Sequence, residues 1–368
     1  MKGCIVEEAL YAQEMRGMVE PYLEKYRSVV WLEREPGRRI YCELYPAGGI
    51  EASGASVRHP AQGDERASAV HRPVQGDEGA SAAQPVQGDA AAGTVLISHG
   101  FTESAEKYRE VIWYFHQEGF HVLIPEHCGH GRSYRLTEDP SLVHMLDWEA
   151  YVEDLLFAAH RAKEEWPGLP LYVFGHSMGG GIAAAAAAKE PGLFAKAVLS
   201  SPMIRPLTAG VPYPLAKAVT AAACACGRAE SYVIGQRAYG GREKFEDSAA
   251  TSEPRFTYYQ DKRVAQPMFQ QSAASFGWVR AAAGLSGFLL KQAWKQIAIP
   301  VLLCQAGRDV FVSNEAQDRF IQKLGSRINE DAVMLRVPGA KHEIYNSDDA
   351  TVRMYWERIF TFLTGESG

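Results

Sequence analysis

No run of apolar residues in this chain approaches the length needed to cross a bilayer. The Ala-rich stretch 181–188 is short and is cut off by Lys189 and Glu190. The first ten residues carry Glu7 and Glu8 and hold no apolar core of signal-peptide length. Cysteine is sparse: Cys4, Cys42, Cys128, Cys224, Cys226 and Cys304 are the only six in 368 residues. Their spacing fits no disulfide framework. Cys224 and Cys226 lie one residue apart, too close for the usual zinc spacing, and Cys304 falls in an apolar run that reads as a buried thiol. These absences lead to the expectation of a cytoplasmic protein in a reducing compartment. A basic stripe is also missing: 38 Lys and Arg are interspersed with 44 Asp and Glu, for a net charge of −6. That argues against a phosphate-backbone reader, so no nucleic-acid partner is expected. Gly179-Gly180-Gly181 lacks the Lys and the spacing of a phosphate loop, and no dinucleotide fingerprint occurs.

What is present is a large apolar fraction, 46 %, ample for a buried core. Residues 6–25 read as an amphipathic helix ended near Pro21. The runs 29–32 and 39–45, with Pro36-Gly37 between them, read as a hairpin. Residues 47–93 differ in kind: Ala, Gly, Ser, Gln and Pro dominate, and Gln-Gly-Asp recurs at 62, 75 and 87. This composition buries too little to offset ordering entropy, and the segment is expected to be a disordered repetitive insertion. From 94 onward strands (94–98, 121–125, 171–174, 196–199, 300–304, 332–337) alternate with helices (107–117, 147–166, 178–189, 349–363). That rhythm predicts an α/β fold, a mostly parallel central sheet with helices on both faces. Residues 202–293 break it with Pro202, Pro206, Pro212 and Pro214 and then many aromatics, and are expected to form a mainly helical cap over the C-terminal edge of the sheet. The expected organisation is therefore 1–46 (helix and hairpin of the core), 47–93 (insertion), 94–201 (core), 202–293 (cap) and 294–368 (core).

The chemistry centres on Gly175-His176-Ser177-Met178-Gly179, a Gly-x-Ser-x-Gly elbow with an apolar strand before it and a long Ala-rich helix after it. Such a turn lifts the serine hydroxyl clear of the sheet, at a helix N-terminus that favours developing anions. A serine is a weak nucleophile and needs a base. His342 is the only histidine after Ser177, in a polar loop between the last strand and the last helix. In the chain order nucleophile, acid, base, the acid falls between them, and Asp309 follows the strand 300–304. Glu315 and Asp331 are rivals, one in a helical run and the other just before a strand. The tetrahedral intermediate needs two donors: the Met178 amide and, from the loop after an early strand, the Phe101 amide. His127, Cys128 and His130 carry metal-ligand atoms, but the glycines between them favour a structural turn. The aromatics Phe256, Tyr258, Tyr259, Phe269, Phe276 and Trp278 fit the lining of an acyl channel and the packing of a cap equally well.

His99-Gly100-Phe101-Thr102-Glu103, Gly129-His130-Gly131-Arg132-Ser133, the elbow with Gly180, Gly307-Arg308-Asp309 and His342-Glu343 together resemble the monoacylglycerol lipase and lysophospholipase branch of the α/β-hydrolases, a branch grouped with serine aminopeptidases. The likeness covers residues 27–46, 94–200 and 295–363. It implies the α/β-hydrolase fold, the triad Ser177, Asp309 and His342, oxyanion donors at Phe101 and Met178, no cofactor and no metal. It also implies a lysophospholipid or monoacylglycerol as substrate, with transient contact between the cap and a membrane surface. Two departures stand out: Glu126 occupies a position usually filled by Asp, and the 47–93 insertion is atypical. A serine aminopeptidase, a short-chain carboxylesterase, and a hydrolase-fold binding protein without turnover are the competing readings. Oligomeric state is not legible.

Overall fold

The structure is a computed structural model, and it describes residues 5–48, 91–328 and 331–365. The expected insertion lies outside the described residues over 49–90. A 3-10 turn (Glu8–Leu10) leads into α1 (Tyr11–Glu14), a π turn (Met15–Val19) and α2 (Glu20–Tyr26). The single helix expected over 6–25 is thus broken into turns, and it runs past Pro21. Pro21 stands in the first turn of α2, where its missing N–H is least costly. The hairpin follows as β1 (Ser28–Glu35) and β2 (Arg38–Tyr45). Then come β3 (Gly93–Ser98), α3 (Arg109–Gln117), β4 (Phe120–Pro125), the two-residue β5 (Leu142–Val143), α4 (Trp148–Glu165), β6 (Leu171–His176), α5 (Met178–Lys189) and β7 (Lys196–Ser200). The remainder is α6 (Tyr213–Ala225), α7 (Glu253–Ala265), β8 (Ala273–Ala274), α8 (Phe276–Lys291), β9 (Val301–Ala306), α9 (Asn314–Ile328), β10 (Ala332–Val337) and α10 (Asp349–Thr364).

The main sheet has the order β1-β2-β4-β3-β6-β7-β9-β10. The hairpin joins it antiparallel through β2 and β4, and the strands from β4 to β10 run parallel. Because a strand alternates its faces, the central strands feed two apolar layers. Leu96 and Leu303 enter the layer beneath α4, α5, α8 and α9. Val95, Ile97, Leu302 and Cys304 enter the layer beneath α3, α10 and the N-terminal helices. Burial on both faces explains why these strands read as unbroken apolar runs. It also explains the alanines of α5, whose residues 178–188 are all buried, so that no polar face is needed.

Residues 202–293 contribute to both layers. α8 lays Ala281, Ala282, Leu285 and Leu289 in the first, while Tyr258 of α7 joins the second and packs edge-on against Tyr11. Arg255, fully buried on α7, ties four segments together. It donates to the carbonyls of Val6 (2.6 Å) and Ser347 (3.0 Å) and pairs with Glu110 (3.3 Å) and Asp349 (3.1 Å). β8 pairs with β5, and both are too short to leave a period-two signal in the sequence. Among the described residues no helix is long and apolar enough to cross a membrane, and Cys42, Cys128, Cys224, Cys226 and Cys304 are unpaired thiols.

Candidate active site

The C-terminal ends of β3, β6, β9 and β10 all face one edge of the sheet, and each delivers one candidate residue there. Ser177 follows β6 directly, with φ 53° and ψ −119°, a strained conformation for a residue with a side chain. Its N–H donates to the Ser200 carbonyl (3.0 Å), and its carbonyl accepts from Gly181 and Met203. The surrounding backbone therefore holds the strained turn in place. A Cβ on Gly179 would lie 2.0 Å from the Ser98 carbonyl oxygen and 2.4 Å from that of His99. Only a glycine there lets α5 start hard against the end of β3. This close approach brings the loop after β3, with Phe101, to the elbow.

The structure brings Ser177, His342 and Asp309 together. The Ser177 Oγ lies 2.7 Å from His342 Nε2, and His342 Nδ1 lies 2.7 Å from Asp309 Oδ2. Asp309 Oδ1 accepts the amides of Phe311 (2.8 Å) and Val312 (3.1 Å), which fix the carboxylate. Burial pushes this carboxyl up. The hydrogen bond and charge of His342, with the two amides, outweigh that and hold it below the ordinary range. The rivals stand elsewhere: Glu315 is an exposed partner of Arg205 and Arg319, and Asp331 is exposed at the start of β10. Met178 opens α5, so its N–H has no intrahelical acceptor. The Phe101 N–H likewise donates to no group among the described residues.

Beneath these residues runs a buried polar network that sequence reasoning did not assemble. Glu103 accepts the Gly100 amide (2.7 Å) and the Tyr108 hydroxyl (2.6 Å) on one oxygen. On the other it accepts Lys107 (2.8 Å) and Tyr345 (3.0 Å). Lys107 also pairs with Glu343 at 2.5 Å, beside the base. Burial alone would raise the Glu103 carboxyl, but the Lys107 ammonium and the hydrogen bonds hold it well below its ordinary value. Lys107 in turn is raised by Glu103 and Glu343 against the effect of burial. The network ties the loop carrying Phe101 to the loop carrying His342. Its one sequence signal is the four-residue spacing of Glu103 and Lys107.

Four further imidazoles are buried around the site. His99 Nε2 accepts the His127 amide (2.8 Å), His127 Nε2 meets Ser98 Oγ (2.9 Å), and His130 Nδ1 meets the Cys128 carbonyl (2.9 Å). These bonds give the His127-to-His130 turn a structural account without a metal. Burial lowers His99 to about 4 and His176 to about 3, and puts His127 and His130 well below the ordinary value. Glu126 braces the same turn by accepting the amides of Ala105 (3.1 Å) and Arg132. The desolvation of this carboxyl pushes it up to about 7. Of the six aromatics weighed above as channel lining, all under a tenth exposed, Trp278 reaches the site and packs tilted against Phe101 with ring centres 4.2 Å apart. Tyr258 packs on Tyr11, Phe256 on Phe245, and Phe269 under Arg132.

A strained serine between a parallel strand and a helix, joined through an imidazole to a carboxylate at the end of a later strand, defines a serine hydrolase of the α/β-hydrolase fold. The chain belongs to the family described as serine aminopeptidase, S33 (Hydrolase_4), which matches residues 89–349. It is 29 % identical to a monoacylglycerol lipase of Mycolicibacterium smegmatis over 70 % of this chain and 83 % of that protein. It is 30 % identical to lysophospholipase L2 of Escherichia coli K12 over 73 % and 79 %. Among solved structures, a soluble variant of the Saccharomyces cerevisiae monoglyceride lipase superposes with a TM-score of 0.66 at 16 % identity, covering 93 % of this chain and 96 % of that one. At that identity the likeness concerns the fold alone. The family and its lipase and lysophospholipase members make this chain a carboxylic-ester hydrolase.

Proposed function

We propose that the chain hydrolyses single-chain acyl esters, a monoacylglycerol or a lysophospholipid, through an acyl-enzyme on Ser177. The observation that carries this reading is the 2.7 Å contact on each side of the His342 ring. With Nδ1–H donating to Asp309, Nε2 is left as the acceptor for the Ser177 proton. Oγ then attacks the ester carbonyl, and the amides of Phe101 and Met178 hold the oxyanion. His342 returns the proton to the leaving alcohol. Water, deprotonated by the same imidazole, cleaves the acyl-enzyme and releases the carboxylate. The named relatives support the substrate class. Lys107 supports an ester over a peptide bearing a free ammonium. Glu103 and Glu343, the carboxylates of the two loops, are both engaged with it, leaving neither free to bind a substrate cation.

Residues 202–293 act in this reading as the cap, and α6 as its lipid-facing element. Leu215 and Val219 are 54 % and 42 % exposed on a helix whose only charged residue is Lys217, a face suited to transient contact with a membrane surface. The unpaired thiols support work in the cytoplasm. The test is a fluorophosphonate probe followed by a panel of monoacylglycerol, lysophosphatidylcholine, short-chain ester and aminoacyl amide. Wild type labels and turns over the first two fastest, and Ser177→Ala does neither. Equal labelling of Ser177→Ala removes the mechanism. Preference for the aminoacyl amide removes the substrate class.

A further inference from the structure

α6 and α8 pack against each other and leave a crevice of about 240 Å³ at the surface. Its walls are Lys217, Thr220 and Ala221 from α6 and Arg280, Ala283 and Gly284 from α8. Both triplets have the spacing i, i+3, i+4, so each is a single face of its helix. Small side chains make the floor apolar, and no carboxylate lines it. Lys217 and Arg280 stand without a counter-ion among the described residues. Neither side chain makes an ion pair or a hydrogen bond among the described residues. Thr220 adds a second, independent sign. It is only 5 % exposed, yet its hydroxyl has no partner among the described residues. Ser286, on the neighbouring helix, turns its hydroxyl back to the Ala282 carbonyl (2.9 Å), and Thr220 makes no such bond. The surrounding segment is basic within an acidic chain: residues 202–293 hold eleven Lys and Arg against six Asp and Glu, while the whole chain carries −6.

An apolar slot with two unpaired cations and an unpartnered hydroxyl on its wall matches an amphiphile with a small anionic head. We propose that the crevice binds a free fatty acid, its carboxylate held by Lys217, Arg280 and Thr220 and the start of its chain lying between Ala221, Ala283 and Gly284. A guanidinium takes a carboxylate through two parallel hydrogen bonds, and walls of Ala and Gly admit one chain. The identity of the occupant rests on the function proposed above, whose reaction releases a carboxylate of this class. The crevice is lined by none of Ser177, Asp309, His342, Phe101 and Met178, but it is built on the helix whose Trp278 packs against Phe101.

The test uses the full chain inactivated at Ser177 by a fluorophosphonate, so that the acyl pocket is filled, and calorimetric titration with decanoate. One equivalent binds. Lys217→Ala and Arg280→Ala each weaken it roughly fivefold, the worth of about 1 kcal/mol for a partly exposed ion pair. Arg280→Lys retains most of the affinity. Ala221→Leu fills the slot, keeps both charges and abolishes binding. The rate of labelling at Ser177 stays within about twofold of wild type in all four. Absence of binding to the blocked protein, equal affinity for decanol, or indifference to Ala221→Leu overturns the proposal. So does retention on phosphatidylglycerol vesicles that needs both cations while decanoate fails to bind, since the cations would then serve a bilayer surface. Should the probe fail to react at Ser177, the reaction proposed above falls, and titration of Ser177→Ala still decides whether the crevice takes a carboxylate.

Discussion

Replacing Asp309 by Asn separates the chemical role of the acid from its structural one. Two of the acid's three hydrogen bonds at this site are to backbone: Oδ1 accepts the amides of Phe311 and Val312 at 2.8 and 3.1 Å. The Asn carbonyl oxygen inherits these bonds, so the loop keeps its shape. The Asn amide then faces His342 Nδ1, which must become the acceptor. The ring proton moves to Nε2 and points at Ser177 Oγ, so the imidazole no longer takes the serine proton. A wrong tautomer with intact geometry costs roughly 10³- to 10⁴-fold in kcat, about 4–5.5 kcal/mol of transition-state stabilisation. KM is expected to change by less than about threefold, because no substrate contact is removed. Stopped assays on a soluble short-chain ester give kcat and KM, and a thermal melt gives Tm. Asp309→Ala serves as the contrast, losing the same rate and, with two amides left without acceptors, about 1–3 kcal/mol of stability as well. A variant Asp309→Asn that keeps more than a tenth of wild-type kcat would falsify the orienting role, as would a rate loss that simply follows a fall in Tm.

Lys107→Met leaves Glu103 and Glu343 buried without their cation and is expected to cost about 3–5 kcal/mol; the double variant Lys107→Met/Glu343→Gln recovers part of that in denaturant titration, and equal losses in both would refute the pairing. Gly179→Ala drives a Cβ into the carbonyl oxygens of Ser98 and His99, backbone atoms that cannot yield. It is expected to cost about 3 kcal/mol and most of the probe labelling, where a fully labelled, unshifted variant would be inconsistent with the packing. Acidification should destabilise the fold well above the carboxylate range. His99, His127, His130 and His176 are depressed, so the unfolded chain takes protons first as pH falls through 6.5, and stability present above that value is lost on the way down. Each contributes a loss of about 2 kcal/mol between pH 7 and 5. Glu126, raised to about 7, works the other way and offsets about one of the four. Unfolding free energies at pH 7, 6 and 5 should therefore fall by several kcal/mol, and a flat series would rule out the buried neutral imidazoles.

The central strands were legible in the sequence because their burial is symmetrical. β3, β6 and β9 are covered on both faces, so every position is buried, most are apolar, and the strand appears as a run that composition reveals. The N-terminal helix was harder. Its apolar residues Tyr11, Met15, Val19 and Leu23 keep a four-residue spacing, but spacing does not register where a backbone changes from α to π hydrogen bonding. β5 and β8 were illegible for a simpler reason: two residues cannot display a period.

At the site the division follows a different rule. Ser177, Asp309, His342, Phe101 and Met178 could be proposed because each sits at a topologically fixed place, the C-terminal end of a parallel strand, and because the chemistry admits few residue types there. Lys107 carries no such mark. Its meaning comes from partners at positions 103 and 343, which are 240 residues apart and meet only because β3 and β10 end on the same edge of the sheet. A lysine on the first turn before a helix is, on its sequence, a solvated cation. Burial turns it into an obligatory counter-ion, since two carboxylates removed from water must be neutralised together or not at all. The same reasoning explains why Lys217 and Arg280 could not be singled out by their sequence. An unpaired cation and a paired one look identical until the fold shows which carboxylates come within reach.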